Sequence, residues 1–150
     1  MKELKGIIKA ICISTVRGVE KTPVLSANFI EDFGIEGDAH GGKWHRQVSL
    51  LSYDRVKEFN QRGANVQDGA FGENLLVEGL DFANLPVGTM LYCGSVKLRI
   101  TQIGKECHSH CTIYHRMGEC IMPSQGVFAE VVKGGKLVPG EEMIAELPPQ

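Results

Sequence analysis

The sequence predicts a mainly β fold, a β-barrel with a few short helices, and three observations carry that prediction. Eight short segments alternate apolar with polar residues or concentrate Val and Ile. Gly or Pro separates many of them, and one stretch alone has clear helical spacing. The expected strands are residues 7–13, 24–30, 47–51, 74–77, 89–93, 96–102, 127–133 and 142–146. Cys93-Gly94-Ser95 reads as a tight hairpin, after which Leu98 and Ile100 should point inward while Lys97, Arg99 and Thr101 face the other way. The helix is expected from residue 53 to about 62. Ser52 is its predicted N-cap, Val56, Phe59 and Asn60 share a face that packs on the barrel, and Gly63 stops it.

With 150 residues and no internal repeat, low-complexity tract or Ser/Gly linker, the chain is expected to form a single domain, residues 1–150. A formal net charge of -2 supplies no general basic field, so nucleic acid is not an expected partner. No apolar run approaches the roughly 20 residues needed to span a bilayer, and the N-terminal segment has no signal-type cleavage site. Together these features point to a cytoplasmic protein without a membrane partner. Five cysteines, an odd number, in a reducing compartment argue against a disulfide framework and leave packing, metal binding or thiolate chemistry. Cys12 and Cys93 sit in strand-like apolar contexts and are read as packing residues.

The chemistry-bearing residues fall in three places. Three of the five cysteines and three of the five histidines lie between Cys107 and Cys120. Cys107, Cys111 and His115 recur every four residues, and Cys120 could close a four-ligand zinc set. The competing reading is a reactive thiol: Lys105, His108 and His110 flank Cys107, and neighbouring positive charge raises the thiolate fraction. Such a thiolate can carry sulfur as a persulfide or bind a soft metal such as molybdenum.

A second place is the glycine-rich run from Gly34 to Gln47, which mixes Glu36, Asp38, His40, Lys43, His45 and Arg46. Its glycines would let backbone amides approach an anion, with Arg46 as a fork-shaped partner for phosphate. The plainer alternative is a turn in which Asp38 binds backbone amides and Trp44 covers the core. In the third place, Phe71-Gly72-Glu73-Asn74-Leu75, Glu73 and Asn74 could orient a ligand, although such side chains in turns more often bind their own backbone.

These landmarks, in this order, resemble the MOSC family, named for the C-terminal domain of molybdenum cofactor sulfurases. The resemblance rests on Gly34-Ile35-Glu36-Gly37-Asp38-Ala39-His40, Arg46-Gln47-Val48-Ser49-Leu50-Leu51, Gly72-Glu73-Asn74-Leu75, Leu85-Pro86-Val87-Gly88 and Gln102-Ile103-Gly104-Lys105-Glu106-Cys107. It implies a MOSC-type β-barrel and an essential cysteine, matched by Cys107. It also implies binding of molybdenum cofactor (molybdopterin), or a biosynthetic form of it, and sulfur transfer through a thiolate or persulfide during cofactor or metal-sulfur cluster assembly. Gly37, Asp38, His40 and Arg46 would form one wall of the site, with Gly72, Glu73 and Asn74 opposite. Arg46 would take the pterin phosphate.

The chain resembles a small standalone bacterial member, so pyridoxal phosphate is expected only on a partner cysteine desulfurase. That desulfurase or another sulfur donor would be one partner, and a molybdenum enzyme or cofactor-biosynthesis protein the acceptor. In some relatives the corresponding cysteine ligates molybdenum, which makes a reductase component acting on N-hydroxylated compounds the first alternative. A non-enzymatic module that binds cofactor, or zinc through Cys107, Cys111, His115 and Cys120, is the second.

Overall fold

A strand that is buried along its whole length must be covered on both faces, and β5 (Val48–Ser52) is buried at all five positions. One cover is the interior of a closed barrel and the other is a helix, α1 (Tyr53–Gln61). A computed structural model describes residues 3–17, 19–104 and 125–149. Before β5 come β1 (Glu3–Ile13), β2 (Thr22–Pro23), β3 (Ala27–Ile30) and β4 (Gly34–Ile35). After α1 come β6 (Leu75–Glu78), β7 (Met90–Cys93), β8 (Val96–Ile103), β9 (Val127–Lys133), β10 (Gly135–Leu137) and β11 (Glu142–Glu146). The stretch 105–124 lies outside the described residues, and with it Cys107, Cys111, His115 and Cys120.

Seven strands run in the order β11-β7-β8-β9-β5-β6-β1, and β11 pairs with β1 to close the barrel. Every ring pairing is antiparallel except β5 with β6, which α1 connects by a crossover. The lumen is filled by residues such as Ile8, Leu50, Leu75, Leu91, Leu98 and Ile100, all fully buried. On the outside of β1, β5 and β6, a second cluster joins Cys12, Leu51 and Leu76 to Val56 and Phe59 of α1. A bulge between Ile8 and Ala10 in β1 helps serve both clusters: Ile8 faces the lumen while Ala10 faces the helix.

A three-stranded sheet, β10-β3-β4, lies beside the barrel, and its Ala27, Phe29, Ile35 and Leu137 join the main core. Gln47 fastens it there, donating from Nε2 to Asp32 and accepting the Val131 amide on Oε1.

The expected β-barrel, helix and hairpin are all present. Gly94 and Ser95 turn between Cys93 and Val96, and Leu98 and Ile100 are inward. Gly63 ends α1 with φ +99°. Ser52 occupies the N-cap position but makes no side-chain cap bond, being buried at the end of β5. The segment expected at 24–30 is strand only from Ala27, because the Val24 amide is taken by the Ile11 carbonyl. In contrast, β1 starts earlier than expected, since Glu3, Leu4 and Lys5 pair with β11 despite their exposure.

Candidate functional site

The glycine-rich run leaves β4 through a turn in which Gly37 has φ +85°, a left-handed conformation that suits glycine. The Ala39 amide then donates to the Ser14 carbonyl at 2.7 Å, tying the loop to the end of β1. Asp38 turns inward between these two segments. Its Oδ1 accepts from the Ser14 amide at 3.1 Å and from Lys21 Nζ at 2.8 Å, while Oδ2 accepts from the His40 amide at 3.2 Å. Both members of the Lys21–Asp38 ion pair are buried. Burial alone would raise the Asp38 pKa, but His40, Lys21 and the Ser14 amide overcome it and hold the carboxyl well below the usual carboxylate range.

Lys21 Nζ also lies 2.9 Å from His40 Nδ1. The His40 ring lies nearly parallel to Trp44, 7° between planes and 6.5 Å between centroids, and Trp44 Nε1 donates to the His40 carbonyl at 2.8 Å. Trp44 is half-buried beside this histidine on the loop and is absent from both core clusters. Over its ring sits the Arg17 guanidinium, 5.3 Å from the centroid, with Nε donating to the Ala39 carbonyl at 3.2 Å.

The end of the loop meets β8. Opposite Phe128, a bulge between Ile100 and Gln102 breaks the alternation and leaves Gln102 half-buried on the outer side. Its Oε1 accepts from His45 Nε2 at 2.9 Å and from Arg46 Nε at 3.1 Å. Its Nε2 donates to the Gly104 carbonyl at 2.8 Å, and the Gly104 amide donates to the Gly126 carbonyl at 2.6 Å. Gly104 and Gly126 are therefore paired beside Gln102, which holds His45 and Arg46. Cys107 is three residues beyond Gly104 in sequence.

Two classes of arginine separate here. Arg55 pairs with Glu58 and Asp81, and Arg99 pairs with Glu130. Arg17 and Arg46 instead bind neutral oxygens and lie over the rings of Trp44 and Phe128, with no carboxylate partner among the described residues. Among the described residues each keeps terminal guanidinium nitrogens that face no carboxylate, a donor set suited to an anion.

The turn at Gly72, Glu73 and Asn74 is built differently. Glu73 is fully buried, accepting from the Phe71 amide at 3.0 Å and the Gly69 amide at 2.9 Å. Burial is the main cause that pushes its pKa up to about 7, which the backbone hydrogen bonds only partly offset. Asn74 accepts the Ser49 amide on Oδ1 and donates from Nδ2 to the Cys12 carbonyl, so it stitches β5 to β1. The Gly72 carbonyl accepts from Ser49 Oγ. The side chains of Glu73 and Asn74 thus lie inside the framework. They connect to the glycine-rich loop through Gly69, whose carbonyl accepts the Lys21 amide at 2.9 Å.

Cys12 and Cys93 are fully buried free thiols, each pushed up to about 12 chiefly by burial, as suits packing residues. Among the described residues no group of three or more His, Cys, Asp or Glu side chains is placed to hold a metal ion. No helix among them is long and apolar enough to cross a membrane.

Sequence reasoning gave Lys21 and Arg17 no role in the site, and Gln102 entered as the first residue of the run 102–107, with no role of its own. Lys21 is a lone lysine in a polar stretch without a motif, and Gln102 leaves the strand pattern only through a bulge that propensity does not encode.

The family model of the MOSC domain matches residues 36–144. Among solved structures, the fold is similar to the crystal structure of the YUAD protein from Bacillus subtilis, with a TM-score of 0.82 and 16% identity over 99% of both chains. It is also similar to YiiM from Escherichia coli, with a TM-score of 0.64 and 18% identity over 97% of this chain and 70% of that one. For YiiM from Geobacillus stearothermophilus the TM-score is 0.64, with 18% identity over 94% of this chain and 73% of that one. No curated protein sequence matches the chain.

Proposed function

This chain belongs to the MOSC domain family, and on that premise we propose that it binds molybdenum cofactor, or a biosynthetic form of it, and uses Cys107 for sulfur transfer. The observation that carries the reading is the double tie made by Gln102. Its carboxamide oxygen holds His45 and Arg46, while its nitrogen holds Gly104 at the threshold of the Cys107 segment. His45, Arg46 and Gly104, the last of which is three residues before Cys107 in sequence, are fastened to one side chain.

The donor set suits an anionic, planar ligand. Arg46 and Arg17 supply guanidinium groups without carboxylate partners among the described residues; the half-buried Trp44 ring lies beside Arg17, while Phe128 is buried and backs Arg46. Arg46 takes the pterin phosphate, while His40 and the backbone around Gly37 line the same side. When bound, the cofactor supplies a metal centre for thiolate ligation and sulfur acceptance. Gly72, Glu73 and Asn74 support this wall from inside through Gly69, with Glu73 in a supporting role.

In the transfer itself, the Cys107 thiolate attacks the outer sulfur of a donor persulfide. One S–S bond forms as the donor's S–S bond breaks, the donor leaves as a thiolate, and Cys107 holds the sulfane sulfur with no net oxidant consumed. A cysteine desulfurase suits the donor role, since the persulfide of such an enzyme is formed with its own pyridoxal phosphate. A molybdenum enzyme or a cofactor-biosynthesis protein suits the acceptor role.

The experiment is labelling by a desulfurase with isotopically marked cysteine, followed by trapping of persulfides for mass spectrometry. Wild type is expected to carry label on Cys107, and Cys107→Ser to lose it while keeping its fold. Equal labelling of the two proteins would remove Cys107 from the carrier role.

A further inference from the structure

Lys21 is a lysine whose side chain is 1% exposed, and the charge of Asp38 accounts for only one of its contacts. The other is His40 Nδ1, at 2.9 Å. We propose that Lys21 is a positioning residue that fixes His40 as the neutral tautomer with its proton on Nε2. The loop then presents a single N–H donor to an acceptor oxygen of the bound ligand.

Two proton arrangements could satisfy a 2.9 Å contact between an amine and an imidazole nitrogen. In one, an ammonium donates to an unprotonated Nδ1; in the other, a neutral amine accepts from an imidazolium. An alkyl amine is a stronger base than an imidazole, which favours the proton on lysine. The buried Asp38 carboxylate, 2.8 Å from the same Nζ, works in the same direction. An ammonium has donors and no lone pair, so Nδ1 must be the acceptor.

Asp38 does not offer Nδ1 an alternative. Its Oδ2 lies 3.7 Å away, beyond hydrogen-bond reach, and already accepts the His40 amide. With Nδ1 unprotonated, a neutral imidazole carries its proton on Nε2.

The ring is fixed in direction as well as in protonation. Its Nδ1 edge abuts a buried ammonium, and 29% of the His40 side chain remains exposed. Trp44 lies parallel to the ring and grips the His40 carbonyl, which restrains the plane from the other side. The consequence for chemistry is specific. A histidine held in this way has no lone pair on Nε2, so it neither ligates a metal nor accepts a proton there; it donates. Beside Arg17, which stacks on the same Trp44, it suits a carbonyl or phosphate oxygen.

Which ligand oxygen it meets rests on the cofactor reading above, whereas the tautomer does not. A long-range proton–nitrogen NMR spectrum of the uniformly labelled full chain at neutral pH tests it, with His40→Gln identifying the His40 signals. The expected wild-type pattern has an unprotonated Nδ1 and a protonated Nε2. Lys21→Arg, which keeps a donor, should preserve this pattern. Lys21→Met should lose it, because nothing then donates to Nδ1 and the ring populates both neutral tautomers.

A wild-type spectrum showing Nδ1–H or an imidazolium would overturn the proposal, as would an unchanged pattern in Lys21→Met. If Lys21→Met does not fold, the wild-type and Lys21→Arg spectra decide it. None of these outcomes bears on Cys107 or Arg46. Loss of pterin binding with the expected tautomer present would sink the cofactor reading alone.

Discussion

Asp38 and Glu73 are both buried carboxylates on loops that lead into barrel strands, and their surroundings drive them to opposite charge states. Asp38 has the Lys21 ammonium against it and stays ionised. The hydrogen-bond partners of Glu73 among the described residues are backbone amides, and its pKa rises to about 7. The difference teaches how to read a buried acid. A full counter-charge keeps the carboxylate ionised and leaves its neighbours organised around it, here His40 with an edge in solvent. Where only amide dipoles oppose burial, desolvation wins and the acid approaches neutrality inside the framework.

The two regions meet at Gly69, and breaking that junction should have the largest effect. A Cβ there would lie 2.0 Å from the Lys21 carbonyl oxygen, and φ is +89°. Gly69→Ala is expected to cost roughly 3 kcal/mol or more from backbone strain and overlap together. Because Lys21 must shift, denaturant melts should show the loss of stability and the His40 signals should move with it. Retention of both would mean that the two regions are independent.

The charge states make a further contrast in pH. A carboxyl whose folded pKa is raised stabilises the protein below its unfolded pKa, near 4.5, and loses that contribution as pH rises through the folded value near 7. For a fully buried group such as Glu73 the amplitude is about 3 kcal/mol. Asp38, with a depressed pKa, does the reverse: its contribution is present above the ordinary carboxylate range and is lost on acidification. Urea unfolding of wild type and Glu73→Gln between pH 4 and 8 reads the difference as a slope. Stability of the variant should fall less steeply between roughly pH 4.5 and 7; parallel curves would show that Glu73 does not titrate in that window.

A chelator is expected to have the smallest effect, leaving the melting temperature unchanged. Cys107, Cys111, His115 and Cys120 are then thiols and an imidazole available for sulfur chemistry. A melt that falls on chelation and recovers with one equivalent of zinc would instead assign them to a structural site, because metal-binding free energy would then be folding free energy.

Much of the barrel was legible in the sequence, because period-two alternation in segments such as residues 96–100 and the Gly94 hairpin are local signals. Short pairings were not: β2, β4 and β10 are two or three residues long and exist through their partners. The site was legible to the extent that its chemistry is local. Asp38 binding the His40 amide and Glu73 binding its own turn followed from what acids do in turns, whereas the Ser14 amide on Asp38 comes from 24 positions away. The partnership of Lys21 with residues 17 and 19 positions away depends on how the loops fold back, and no spacing announces it. The same holds for Gln102, whose contact with Arg46 spans 56 positions and requires the bulge in β8.

The central claim is that the arginine wall reads an anion, and Arg46 tests it most directly. Titration calorimetry compares wild type and Arg46→Ala with a phosphorylated pterin and its dephosphorylated form. Loss of a charged hydrogen bond should weaken the phosphorylated ligand by about 1.5–3 kcal/mol and leave the other nearly unchanged. An equal loss for both ligands, or none for either, would contradict the account.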